Sequence, residues 1–327
     1  MSAASAPKST LSGLTPLLGK RVASALLTLL LVSAVIFTVS GLLPGDAAQE
    51  TLGQSATPEQ VAARRHEMGL DRPVLTRYAD WLVGMVKGDP GTSLVANMPV
   101  REIIAQRLPN SLMLAGFTAL IAVPLALAIG IASAVNRGGK LDRALNTMTL
   151  SMVAVPEFLV ATLGVLVFSV KLLWLPSIAL VSATSTWSDV IRSCTLPVLT
   201  LTVVVTAQMA RMTRAAVADQ LDRPYVEMAR LKGLRFSRVV LVHVMPNALG
   251  PIVNAAALSL SYLMGGAIIV ETIFSFPGLA SLMVNAVTSR DMPLLQACAM
   301  IFCTVYLLLV LIADVVAIMA NPRLRAQ

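Results

Sequence analysis

The sequence predicts an all-α integral membrane protein with six transmembrane helices and both termini cytoplasmic. Three observations carry this. Of the residues, 56% are hydrophobic and 13% charged, with a mean hydropathy of +0.78, which is more apolar surface than a soluble domain of this size can hide. Six runs, 22–43, 111–135, 147–173, 195–212, 247–270 and 294–319, reach the roughly 20 residues a helix needs to cross the hydrocarbon core. With the N-terminus inside, fifteen Lys and Arg fall on the cytoplasmic side, against Lys171, Arg192 and Arg290 in the short connections opposite and seven in the long 44–110 segment, where the rule is weak. That asymmetry sets the orientation.

Taken in order, residues 1–21 form a polar cytoplasmic tail, with 1–19 lacking a firm period and expected to be mostly disordered. The first span, 22–43, follows Lys20 and Arg21 and is too long for a cleaved signal core. Segment 44–110 lies outside and is helical. Thr57, Pro58 and Gln60 supply an N-cap, a first-turn proline and a capping-box partner. A second helix sets Val74, Tyr78, Trp81, Leu82 and Met85 on one face and stops at Gly88. With eight acidic and seven basic side chains, the segment is either a lid on the membrane domain or a docking surface for an outside partner.

The core, 111–320, holds the other five spans. Pro124 and Pro156 mark kinks in the second and third, and Pro197 falls near the start of the fourth. Glu157, in the cytoplasmic half of the third span, is a candidate pore residue or a partner for a broken turn. Glu271, at the outer end of the fifth, is near enough to headgroups to be solvated, and Asp314 in the last span is expected to pair with a basic group or snorkel. An intramembrane charge costs about 3 kcal/mol or more, so each is a functional candidate. Ala257, Ser261 and Gly265, with Gly266 beside them, make a small-residue stripe suited to close helix packing or to lining a pathway. Ser261, Gly265, Glu157 and Glu271 are the candidate pathway residues.

Enzyme chemistry is poorly provided for. The two histidines, His66 and His243, fall on opposite sides, no metal-ligand spacing occurs, and Cys194, Cys298 and Cys303 read as packing residues. Gly13 to Arg21 has the wrong spacing for a phosphate loop and no preceding strand. The chain is therefore expected to be non-catalytic, to hold no metal or cofactor, and to bind no nucleic acid; its basic charge is a membrane-topology signal.

The loop 213–246 is the most structured connection. Pro224 opens a helix, with Asp222 or Arg223 as cap, that carries Tyr225, Met228, Ala229 and Lys232 on one face. Gly233 ends it in a left-handed conformation, and a second stripe follows with Phe236, Val239, Val240 and His243. Such a hairpin either presents small residues to a protein groove or rests on lipid headgroups.

Glu227-Met228-Ala229, three residues, Gly233, nine residues, His243, one residue and Met245-Pro246 resemble the EAA loop of ABC-importer permeases. Glu227, Ala229, Gly233 and Pro246 match, while Met228, His243 and Met245 replace an Ala, an Ile and a Leu. Tyr225-Val226 and Ala229-Arg230-Leu231-Lys232-Gly233 are similar to the dipeptide, oligopeptide and nickel branch. So are the blocks 43–46, 68–73, Gly88 to Ser93, Arg107 to Pro109, Val270 to Gly278 and 321–325. The resemblance implies a type I ABC-importer permease in a bacterial inner membrane. It implies as partners a second homologous permease, two ATPase subunits that bind the ATP and magnesium, and an extracytoplasmic solute-binding protein. The hairpin would be the coupling helix, with Tyr225, Glu227, Ala229, Arg230, Lys232, Gly233 and Pro246 facing an ATPase. Ala229 and Gly233 would be small for close approach to its groove. The solute would be a peptide, with nickel, glutathione or opines as alternatives. A stand-alone secondary transporter or channel is the rival class.

Overall fold

A computed structural model of the chain describes residues 14–42, 47–52, 56–67, 69–180 and 185–320. Those residues form helices with no strand longer than the single Thr92–Pro99 bridge. In order they are α1 (Leu14–Leu42), α2 (Ala47–Leu52), α3 (Pro58–Glu67), α4 (Val74–Lys87), α5 (Val100–Val135), α6 (Lys140–Ala154) and α7 (Glu157–Gly164). Next come α8 (Trp187–Leu221), α9 (Pro224–Leu231), α10 (Phe236–Arg238), α11 (Met245–Ile273), α12 (Leu279–Thr288) and α13 (Met292–Ala320). Two π-helical stretches, Val165–Lys171 and Val239–Val244, continue α7 and join α10 to α11. Five helices are long and apolar enough to span a bilayer, and the bent pair α6–α7 makes up to six. Of the expected tail 1–21, residues 1–13 lie outside the described residues, as do the blocks at 43–46 and 321–325 and Met68; the rest of that tail is helical, because α1 begins at Leu14 rather than at the start of the apolar run.

α8 is the most enclosed span, with α5, α6, α7 and α11 packed around it. It crosses α5 so closely that a Cβ on Gly130 would stand 2.7 Å from both the Ala210 carbonyl oxygen and the Thr213 Cβ. A Thr186–Asp189 capping box starts α8 early, which leaves Pro197 ten residues inside and buried rather than near its start. α5 runs unbroken through Pro109 and Pro124. The third run does not: Val155 and Pro156 take extended backbone angles, and α6 and α7 meet at 95°. A proline forces the residue before it out of the helical region, so the single span expected from hydropathy is a broken one.

On the outside of the bundle α1 and α13 lie antiparallel. Arg21 Nη1 is 2.8 Å from Asp314 Oδ2 at one end, the basic partner expected for that carboxylate. At the other, Gln296 Nε2 donates to Ser40 Oγ at 2.5 Å. The segment between α1 and α5 packs on this pair. Thr57 and Gln60 exchange the two capping-box bonds, and Gly88 ends α4 at φ +78°. Tyr78 meets Phe37 edge-on and Trp81 packs against it at a tilt, with centroids at 5.4 and 5.6 Å. Val74, expected on that same face, is exposed. Ser93 donates to the carboxylate of Asp291, which is 1% exposed and also accepts from the Leu94 amide at 3.2 Å.

Candidate functional site

The loop that the sequence singles out folds as a hairpin standing on the ends of α8 and α11. Pro224 occupies the first turn of α9, where its missing amide costs nothing. Gly233 then turns the chain at φ +76°, with its amide donating to the Arg230 carbonyl at 2.9 Å. A Cβ there would meet no atom within 4 Å, so within this chain glycine is required by backbone conformation and not by crowding. The Arg230 guanidinium lies over the Phe236 ring at 4.5 Å and braces the turn.

The faces of α9 are distributed differently from the expectation. Val226 and Ala229 point inward and pack with Ala134, Val217, Val239, Val244 and Ile252. Ala229 is 8% exposed, so its small size fits the hairpin onto the membrane helices rather than onto an external groove. The outward face carries Tyr225, Glu227, Met228, Leu231 and Lys232. Tyr225 reaches back to α8, where its hydroxyl donates to Gln220 at 3.1 Å, and burial pushes that hydroxyl above its usual pKa. Pro246 is exposed at the junction of the π turn with α11. The wide turn accommodates a residue that lacks an amide and crowds the preceding carbonyl. The loop is shorter than the polar stretch suggested, because helix persists to Leu221 and resumes at Phe236.

The intramembrane candidates separate. Glu271 is wholly buried and not solvated as expected. It accepts from Ser111 Oγ at 2.6 Å and from the amides of Ala280 and Ser281 at 2.8 and 2.9 Å, so it caps the start of α12. Nothing of it is left for a passing solute in this arrangement. Glu157 lies at the α6–α7 break, half-buried, with no hydrogen bond or ion pair among the described residues. Its carboxylate abuts Gly266, where a Cβ would stand 2.9 Å from Oε2. Gly266 is seven residues, about 10 Å of helix, from the α11 end at Ile273. Glu157 is therefore nearer that end than the cytoplasmic half assigned from hydropathy. Of the stripe, Ala257 and Ser261 are buried, the Ser261 hydroxyl has no partner among the described residues, and Gly265 is exposed beside Tyr262 and Ile269. Among the described residues no three His, Cys, Asp or Glu side chains gather as a metal site.

Sequence reasoning missed one cluster at the hairpin end. Asp142 at the start of α6 is 5% exposed. It receives Arg214 Nε and Nη2 of α8 at 2.7 and 2.9 Å, Ser133 Oγ of α5 at 2.6 Å and the Gly138 amide at 2.9 Å. The apolar run stops at 212, so hydropathy places Arg214 in the loop, whereas α8 continues to Leu221. The available signal was an acid in the first turn after Gly138-Gly139, a favoured place for a carboxylate.

The family described as "Binding-protein-dependent transport system inner membrane component" matches residues 123–326, and its N-terminal companion matches 14–115. A glutathione transport system permease protein of Pectobacterium atrosepticum is 39% identical over 306 residues, covering 94% of this chain and 97% of that protein. A putative peptide transport system permease protein of Brucella abortus is 34% identical over 312 residues, covering 95% and 99%. An inward-facing structure of the MetNI methionine ABC transporter shares the fold at a TM-score of 0.56 and 18% identity, covering 67% of this chain and 96% of that one.

Proposed function

We propose a role for a chain that belongs to the family of binding-protein-dependent transport inner membrane components: it is the permease subunit of an ATP-driven importer for peptides or a glutathione-like peptide. It forms half of the solute pathway and carries no catalytic group of its own. A second permease completes the pathway, two ATPase subunits bind ATP and magnesium on the cytoplasmic side, and a binding protein delivers solute from outside. The peptide assignment rests on relatives across nearly the full chain that are named for glutathione or peptide transport.

The observation that carries the coupling is the outward face of α9. Tyr225, Met228 and Leu231 are 38, 55 and 75% exposed on a hairpin whose opposite face is locked into the membrane helices. Two apolar side chains left outside the bundle, Met228 and Leu231, with the half-exposed Tyr225 ring tethered to Gln220 beside them and Glu227 and Lys232 at the rim, suit a protein groove. The ATPases would grip this face, and ATP-driven closure would draw the hairpins of the two permeases together and switch the pathway between two states. Pathway residues are Glu157 and the exposed stretch of α11 at Tyr262 and Gly265, with buried Ser261 behind it; Glu271 serves α12 instead.

The test is co-purification. Met228→Asp with Leu231→Asp leaves the inward face untouched, so the permease is expected to reach the membrane in normal amount and to lose its ATPases. Retention of both ATPases by that variant would overturn the assignment of this face.

A further inference from the structure

We propose that the ion pair of Asp142 with Arg214 is the link through which movement of the hairpin reaches the broken α6–α7 helix. Both are positioning residues for transport. The inference rests on the importer reading above.

Three observations converge on it. The pair is bidentate and mostly enclosed, with Asp142 7% and Arg214 28% exposed at the side chain. It is also the point where α5, α6 and α8 are tied, since Ser133 binds the same carboxylate oxygen. A fork of this kind fixes orientation as well as distance, so the helices it joins rotate and translate together.

The hairpin packs against α8 one turn beyond Arg214. Val217 and Ala218 share a cluster with Val226 and Ala229, and they follow Arg214 at spacings of three and four, on the same side of the helix. A push on α9 therefore reaches the turn of α8 that holds Asp142.

A second tie joins the same two regions. Arg137, in the turn between α5 and α6, pairs with Asp222, the C-cap of α8 at the entry to the hairpin, at 2.6 Å. The turn 136–142 is thus held to α8 at both ends of its last two turns. α6 leaves from that turn and runs fifteen residues to the Pro156 break and Glu157. It is a rigid lever with its short end at the hairpin and its long end at the unpaired carboxylate against Gly266. The exposed Arg137–Asp222 pair is open to water and contributes guidance, while the enclosed pair carries the load.

The experiment uses the complete transporter reconstituted in vesicles with its ATPases, its partner permease and its binding protein, and reads ATP hydrolysed per solute imported. Asp142→Asn removes the charge, and Arg214→Lys keeps the charge but loses the fork. Both are expected to raise the ratio about three- to thirtyfold per assembled complex, with Ser133→Ala giving a smaller rise of the same sign. If Asp142→Asn does not assemble, Arg214→Lys and Ser133→Ala carry the measurement. An unchanged ratio in the assembled variants, whether or not yield falls, overturns the proposal and leaves the pair a purely structural tie. Absence of ATP-driven uptake by the unaltered transporter would instead remove the importer reading itself, so the two failures are distinguishable.

Discussion

The Glu271 carboxylate fills the space beside Gly278 that a Cβ would take. The contact exists because the carboxylate must reach the free amides of Ala280 and Ser281 at the start of α12, while Ser111 holds its other oxygen and accepts from the Leu279 amide. This gives a physical reason for the Val270 to Gly278 block. It anchors α12 to α5 and α11. Gly278→Ala is expected to displace the carboxylate and lower stability by about 2–4 kcal/mol, and Glu271→Ala by a similar amount through orphaned amides. Both appear as a fall in the melting temperature of the purified protein. A melting temperature for Gly278→Ala equal to that of the unaltered chain would contradict the anchor.

Asp291 plays the matching part for the block ending at Ser93. It is buried and accepts from the Ser93 hydroxyl and from the Leu94 and Leu294 amides. Asp291→Ala should cost about 2–3 kcal/mol and free the loop before α5. Proteolysis between Gly88 and Val100 is then faster in intact vesicles. Ser93→Ala should show the same cleavage at a lower rate, and unaltered cleavage in both would refute the tie.

At Gly233 the backbone requirement and the close-approach requirement predict different series. The φ of +76° is tolerated by Asn, poorly by Leu and worst by β-branched Val. Uptake should therefore fall in the order Gly, Asn, Leu, Val, with the Asn variant retaining a measurable share. If all three variants abolish uptake alike while remaining folded, the position is small because an ATPase surface presses against it.

Glu157 is half-buried, unpaired and set against Gly266 at a helix break. Glu157→Gln removes an uncompensated charge, so thermal stability should hold or rise slightly. Uptake of a peptide with a free α-amino group should drop about tenfold, while uptake of its N-acetylated form changes little. Equal effects on both peptides would show that the carboxylate does not meet the solute's amine.

Hydropathy found the five long apolar helices and, as a sixth run, the bent α6–α7 pair, because length and apolarity are local properties. Of the kinks expected at Pro124 and Pro156, the second is a 95° break of the third span while α5 carries Pro109 and Pro124 unbroken, since a proline bends or is absorbed according to its neighbours. The Thr57–Gln60 cap and the Gly88 and Gly233 stops were legible because caps are set by side chains three residues apart or by one backbone angle. The role of Glu271 was not, because its partners are backbone amides that pattern does not reveal. Asp142 and Arg214 are 72 residues apart, and nothing local joins them. The spacing found the hairpin but not which face of α9 is outward. The match of Ala229 to the family motif speaks only of size, and burial assigns that size to the inner core.

The most direct test of the account is solute uptake by vesicles containing this chain with its partner permease, ATPases and binding protein. The account predicts uptake of a small peptide that requires ATP and the binding protein, is indifferent to an ionophore, and is lost with the Met228→Asp, Leu231→Asp double variant. Uptake by this chain alone, without ATP and abolished by an ionophore, would contradict it.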